Sequence, residues 1–234
     1  MTHLLRRLPQ SSFSLVRTSV AGLVFLVGIS AAFASSAAKI EDAGPLNETA
    51  ASAALRKILE PDGHKILLND GSECCDVWIL KEAPSAGKRE VDGAVFPQLS
   101  ESELLGVIRF PKAATDFRGD AIAAGAYTMR YALSPNDGNH LGVAPSRDFV
   151  LLVPIGADPD PEAKFDAEHL NALSRKANGT KHPAPLDLVQ PEGDTSRPTI
   201  YQNGDGHWVF VFKLKLRTGD LLPLGLVVKG HAPQ

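Results

Sequence analysis

The chain has 234 residues, with 24 Lys+Arg against 27 Asp+Glu and a formal net charge of −3. No basic block follows the first residues, which argues against a nucleic-acid or anionic-membrane partner. The only two cysteines are adjacent, Cys74 and Cys75, which excludes a disulfide-stapled scaffold.

The chain begins with an export pattern. Arg6, Arg7 and Arg17 precede an uncharged apolar run over residues 20–33, and Ala32-Phe33-Ala34 ends it with small residues around a bulky one. Residues 1–34 are therefore expected to be a cleavable signal peptide, with a periplasmic or secreted product. The alternative is an uncleaved N-terminal membrane anchor, because residues 18–38 carry no charge until Lys39 and are long enough to span a bilayer. No membrane contact beyond that segment is expected.

Residues 35–63 read as a flexible lead-in with one short helix. Asn47 or Thr49 could cap a helix over residues 50–59, which Glu60-Pro61-Asp62-Gly63 ends. Residues 64–234 read as a single domain. Residues 65–68 and 73–81, the second carrying Val77, Trp78, Ile79 and Leu80, form two apolar-rich runs that flank Asn69-Asp70-Gly71-Ser72, a hairpin pattern. The adjacent cysteines fall in the second strand, with one thiol expected on each face, one buried and one not. Two thiols alone make a poor metal site.

A Gly/Pro-rich loop over residues 84–97 leads to a strand at 104–110. In residues 125–133, Tyr127, Met129 and Tyr131 alternate with Thr128, Arg130 and Ala132. This predicts one buried face and one solvated face. The run 149–153 is apolar throughout, as in a central strand covered on both sides. A helix is expected over residues 162–176, where Phe165, His169 or Leu170, and Leu173 line one side. Residues 177–197 read as loop.

The C-terminus carries the clearest β pattern. Residues 199–202 lead into Asn203-Gly204-Asp205-Gly206, after which Trp208, Phe210, Phe212, Leu214 and Leu216 share one face. A last strand alternates through Leu222, Leu224, Leu226 and Val228, and Pro223 inside it suggests a sheet edge. The expected fold is mainly β: an antiparallel β-sandwich of about eight strands with one or two short peripheral helices. A closed barrel is the alternative.

The sequence contains no serine-hydrolase elbow, zinc-protease helix motif, phosphate loop or dinucleotide fingerprint. No catalytic residue, metal or cofactor is assigned. Asn136-Asp137-Gly138-Asn139 lacks the later Glu that a calcium loop needs. The richest polar loop gathers Asp137, His140, Arg147 and Asp148 between two strands, a placement typical of binding groups. His140 could titrate there, and Arg147 could grip a carboxylate. The same residues could instead satisfy turn backbone and pair internally. His182 is a second candidate. Trp78 and Trp208 read as core residues, and Arg118-Gly119-Asp120 reads as a turn.

Residues 110–119, 125–131 and 136–154 resemble a group of exported bacterial β-rich proteins of unknown function. The stretch Ala124-Gly125-Ala126-Tyr127-Thr128-Met129 is similar to a turn-and-strand of other small secreted β domains. The resemblance implies a bacterial envelope setting and transfers no site residue. The expected function is non-catalytic binding of a protein or a small-molecule ligand. An envelope hydrolase using His140 with Asp137 or His182 is the alternative.

Overall fold

The computed structural model describes residues 37–87, 90–136 and 144–233. Its strands are β1 (Lys39–Gly44), β2 (Gly63–Leu67), β3 (Glu73–Ile79), β4 (Leu104–Phe110), β5 (Ala114–Thr115), β6 (Ala121–Ile122), β7 (Gly125–Leu133), β8 (Asp148–Pro154), β9 (Pro185–Val189), β10 (Thr199–Gln202), β11 (Trp208–Lys215) and β12 (Leu221–Lys229). Among the described residues, two α-helices, α1 (Ala53–Ile58) and α2 (Ala167–Asn178), and one short 3-10 turn (Ile155–Ala157) interrupt them.

Among the described residues, ten strands form one antiparallel sheet in the order β1-β2-β3-β4-β7-β8-β9-β12-β11-β10. The two end strands, β1 and β10, come alongside one another without sharing a ladder, so the sheet nearly closes into a barrel. β5 and β6 form a separate hairpin. The eight-strand sandwich is thus corrected to a single curled sheet. Period-2 alternation marks an inside and an outside. It does not say whether the inside faces a second sheet or the far wall of the same one.

Opposite walls do touch. The Cys74 thiol reaches the Val228 carbonyl of β12 at 3.7 Å, five places away in strand order. At one end Ala83 bridges to β11 by donating to the Lys215 carbonyl at 2.8 Å and accepting from Arg217 N–H at 2.9 Å. The interior is filled by side chains such as Ile66, Val77, Ile108, Met129, Phe210 and Leu224. Phe210 and Phe212 stack at 5.4 Å. Burying each such side chain stabilises by roughly 1.5–3 kcal/mol.

Several local features differ from the sequence reading. Lys39–Gly44, expected as lead-in, pairs with β2. Helix α1 starts later than expected, and Ser52 caps it by accepting from Leu55 N–H at 3.0 Å. β9 lies inside the presumed loop. Pro183 just before it and Pro185 at its start hide a run whose Leu186 and Leu188 enter the core. Pro223 is not in an edge strand, yet β12 meets β9 only at Gly225 and Leu226, so the half that holds Pro223 has one neighbour. The thiols are not on opposite faces. Cys74 is the extra residue of a β-bulge between the pairs Ile66↔Cys75 and Leu67↔Glu73, and the Cys75 thiol hydrogen-bonds to it. Cys75 is buried and Cys74 half-buried.

Helix α2 begins at Ala167, with Asp166 capping His169 N–H at 2.8 Å, and ends at Gly179, whose φ of 70° suits a left-handed cap. It buries Leu170, Leu173, Ser174 and Ala177, while His169 is exposed. The helix packs on the outer face of β8 against Leu151 and Val153.

Candidate functional site

The outer face of β7 explains the site's foundation. Thr128 and Arg130, expected in solvent, are fully buried. They are covered by the segment between β8 and α2, which alternation within β7 could not reveal. Asp158 takes the Arg130 Nε–H at 2.8 Å and Nη2–H at 2.7 Å, and its Oδ2 also accepts from Thr128 Oγ1 at 2.6 Å. The remaining guanidinium donors go to the carbonyls of Ser102, Ala163 and Asp160 at 2.8–3.0 Å. All five donors are therefore used, which is the condition under which a buried ion pair is tolerated. Phe165 lies over this guanidinium at 5.1 Å.

On this base sits a cleft of about 290 Å³ between α2 and the sheet. Ala132, Phe149 and Leu151 form its floor, and Phe165, just before α2, and Leu170 of α2 form the wall above it. Register places these floor residues in rows across three strands. Ala132 is opposite Phe149 and Phe149 opposite Asp187, while Leu151 is opposite Pro185. One side wall carries Glu101, Ser134 and Pro135. The other carries Phe117, Arg118, His182, Pro183 and Pro185.

The Phe117–Arg118 turn is held from three directions. Asp116 accepts from Arg118 N–H and Asp120 N–H, both at 2.9 Å, and from Asn178 Nδ2 of α2 at 3.1 Å. Phe117 N–H donates to the Pro185 carbonyl at 2.8 Å, and the Phe117 carbonyl accepts from Ala232 N–H at 2.7 Å. Burial raises the Asp116 carboxyl above its usual range, and these hydrogen bonds oppose the rise.

Of the residues singled out in the polar loop, Asp137 and His140 lie outside the described residues. Arg147 lies at the loop's far end, where its Nε–H and Nη1–H donate to the Ser134 and Asp92 carbonyls, both at 2.7 Å. It packs so closely on Gly93 that a side chain there would strike its stem. Asp148 is fully buried. It accepts from Val95 N–H at 2.8 Å, Phe96 N–H at 3.1 Å and Tyr131 Oη at 2.6 Å. Both groups pin the 92–96 loop onto the sheet. The cleft lies beside them, since Ser134, Pro135 and Phe149 line it. His182, the second candidate, also lines it. Phe117 and Arg118 escaped sequence reasoning as site residues, because five distant segments must meet to build the walls.

Asp187 stands next to the cleft floor and is 1% exposed. Neither carboxylate oxygen has a well-formed hydrogen bond. Burial, and then the negative charge of Asp148, push its carboxyl up to about 7, and the nearby Leu188 N–H offsets only part of this.

Among the described residues, no group of three His, Cys, Asp or Glu is placed to hold a metal ion, and no helix is long and apolar enough to cross a membrane. Fold and site together define a curled antiparallel β-sheet with a helix-walled external cleft. Comparison with protein-family models, curated proteins and solved structures finds no match.

Proposed function

We propose that this is an exported, non-catalytic binding protein of the bacterial envelope, and that a small ligand occupies the cleft between α2 and the outer face of β7 and β8. The cleft itself carries this reading: an apolar floor and helical wall, rimmed by a few polar side chains, on a scaffold whose interior is filled. Binding sites of this kind are concave, mostly apolar and orient a ligand with few polar groups. The export-like pattern of residues 1–34 supports the setting.

A thermal-shift screen of small apolar compounds tests the assignment, run on the protein and on Ala132→Trp, which fills the floor. Compounds that stabilise the first and not the second fit the proposal. Stabilisation that survives Ala132→Trp and disappears with His140→Ala would move the site to the polar loop. His182 in the cleft wall keeps the hydrolytic alternative specific: it requires turnover of an ester or amide that His182→Ala abolishes.

A further inference from the structure

We propose, given that the cleft is the ligand site, that its occupant is a small amphiphile with an apolar body and a single carboxylate, the carboxylate held by Arg118 and His182. The polar groups of the rim are segregated. Glu101 stands on the β7 side, where it accepts from Leu133 N–H at 3.4 Å. Arg118 and His182 stand on the β9 side beside Pro185. Two strand spacings separate these walls, about 10 Å.

The backbone of Arg118 is fixed by the Asp116 turn, while its guanidinium is held only by a loose, solvent-exposed ion pair that a ligand carboxylate would exchange for direct hydrogen bonds. Its nearest acid is Asp120 at 3.8 Å, and both side chains are more than a third exposed. Among the described residues that guanidinium makes no hydrogen bond, so its planar fork is open to a carboxylate. The His182 backbone is tied at both ends to Thr180 Oγ1 at 3.1 Å, while its ring makes no hydrogen bond among the described residues.

Glu101 would repel a second negative group at the opposite wall, so a monoanion fits and a dianion spanning the cleft does not. The volume, about 290 Å³, suits one ring with a short chain rather than a long lipid. Phe149 and Phe165 offer aromatic faces for that ring.

Isothermal titration with 4-phenylbutyrate, 4-phenylbutan-1-ol and 4-phenylbutylamine separates the possibilities. Each compound is titrated into the protein, Arg118→Gln and Ala132→Trp, with folding checked by circular dichroism. The expected result is carboxylate binding about tenfold tighter than either analogue, since charge-assisted hydrogen bonds contribute at that level. Arg118→Gln should erase this preference and leave the alcohol unchanged, and Ala132→Trp should abolish all binding. Equal binding of the three compounds, or a preference that survives Arg118→Gln, would overturn the carboxylate assignment and leave the cleft standing. No binding of any of them, with the protein folded, would remove the cleft's role and the carboxylate with it.

Discussion

Arg130 and Asp158 form a fully buried ion pair, closed at 2.7 Å, on the outside of the sheet rather than in its core. It fastens the segment that leads into α2 onto β7, and so sets the helical wall of the cleft. Asp158→Ala would leave a guanidinium buried without its counter-charge. The expected loss is about 3–5 kcal/mol in urea denaturation. Arg130→Lys should also be costly, because an ammonium cannot reproduce a fork that serves Asp158 and three carbonyls. A loss below about 1 kcal/mol in Asp158→Ala would mean that the pair does not hold this segment.

Asp187 gives a pH dependence with a definite sign. An unfolded Asp titrates near 3.9, whereas the folded group titrates at about 7. Between those values the folded state holds a proton that the unfolded state has released. Stability from this group is thus fully present below about pH 4, falls as pH rises towards 7 and is flat above. The fall is roughly 4 kcal/mol at most. Asp187→Asn should flatten that slope in denaturation curves measured from pH 4 to 8, and an unchanged slope would contradict the assignment.

Asp148 supplies part of the push on Asp187. Asp148→Asn should therefore bring the Asp187 midpoint down, read by carbon NMR of the carboxyl. It should also destabilise the protein by about 1–3 kcal/mol, because Val95 N–H, Phe96 N–H and Tyr131 Oη all rely on this carboxylate. Tyr131→Phe, which removes one donor and leaves the backbone bonds, should cost less, about 0.5–1.5 kcal/mol.

The cysteines should differ in reactivity. The hydrogen bond from Cys75 lowers the Cys74 thiol, whereas burial raises the Cys75 thiol well above its usual range. Iodoacetamide under native conditions should label Cys74 first, and Cys75 only after denaturation. Peptide mass spectrometry showing Cys75 labelled first would contradict the bulge geometry.

The sequence made the strands legible wherever alternation was undisturbed. The faces of β11 and β12 follow directly from Phe210, Phe212, Leu214, Leu222, Leu224 and Leu226, all of which enter the core. β9 was hidden because Pro185 opens it and Asp187 interrupts its apolar run. The choice between sandwich and barrel was not legible, since a curled sheet presents facing walls with the same alternation as two sheets. The burial of Thr128 and Arg130 was hidden because their cover arrives from a distant segment, and Asp158, their partner, lies 28 residues beyond Arg130. One clue to the cleft was present: the unbroken apolar run of β8 demanded a cover on both faces. Phe149, Leu151 and Val153 meet it outside with Phe117 and α2. Which rim residues join them depends on loop paths that no local pattern encodes.

The central claim, a ligand seat between α2 and the outer sheet face, is tested most directly by methyl NMR during titration with 4-phenylbutyrate. Occupancy of the cleft predicts shifts at the Leu151 and Leu170 methyls, with Leu214 and Leu224 in the barrel interior unmoved. Shifts confined to the interior leucines, or to Leu216 and Leu222, which line a separate depression with Gln98 and Thr218, would contradict it.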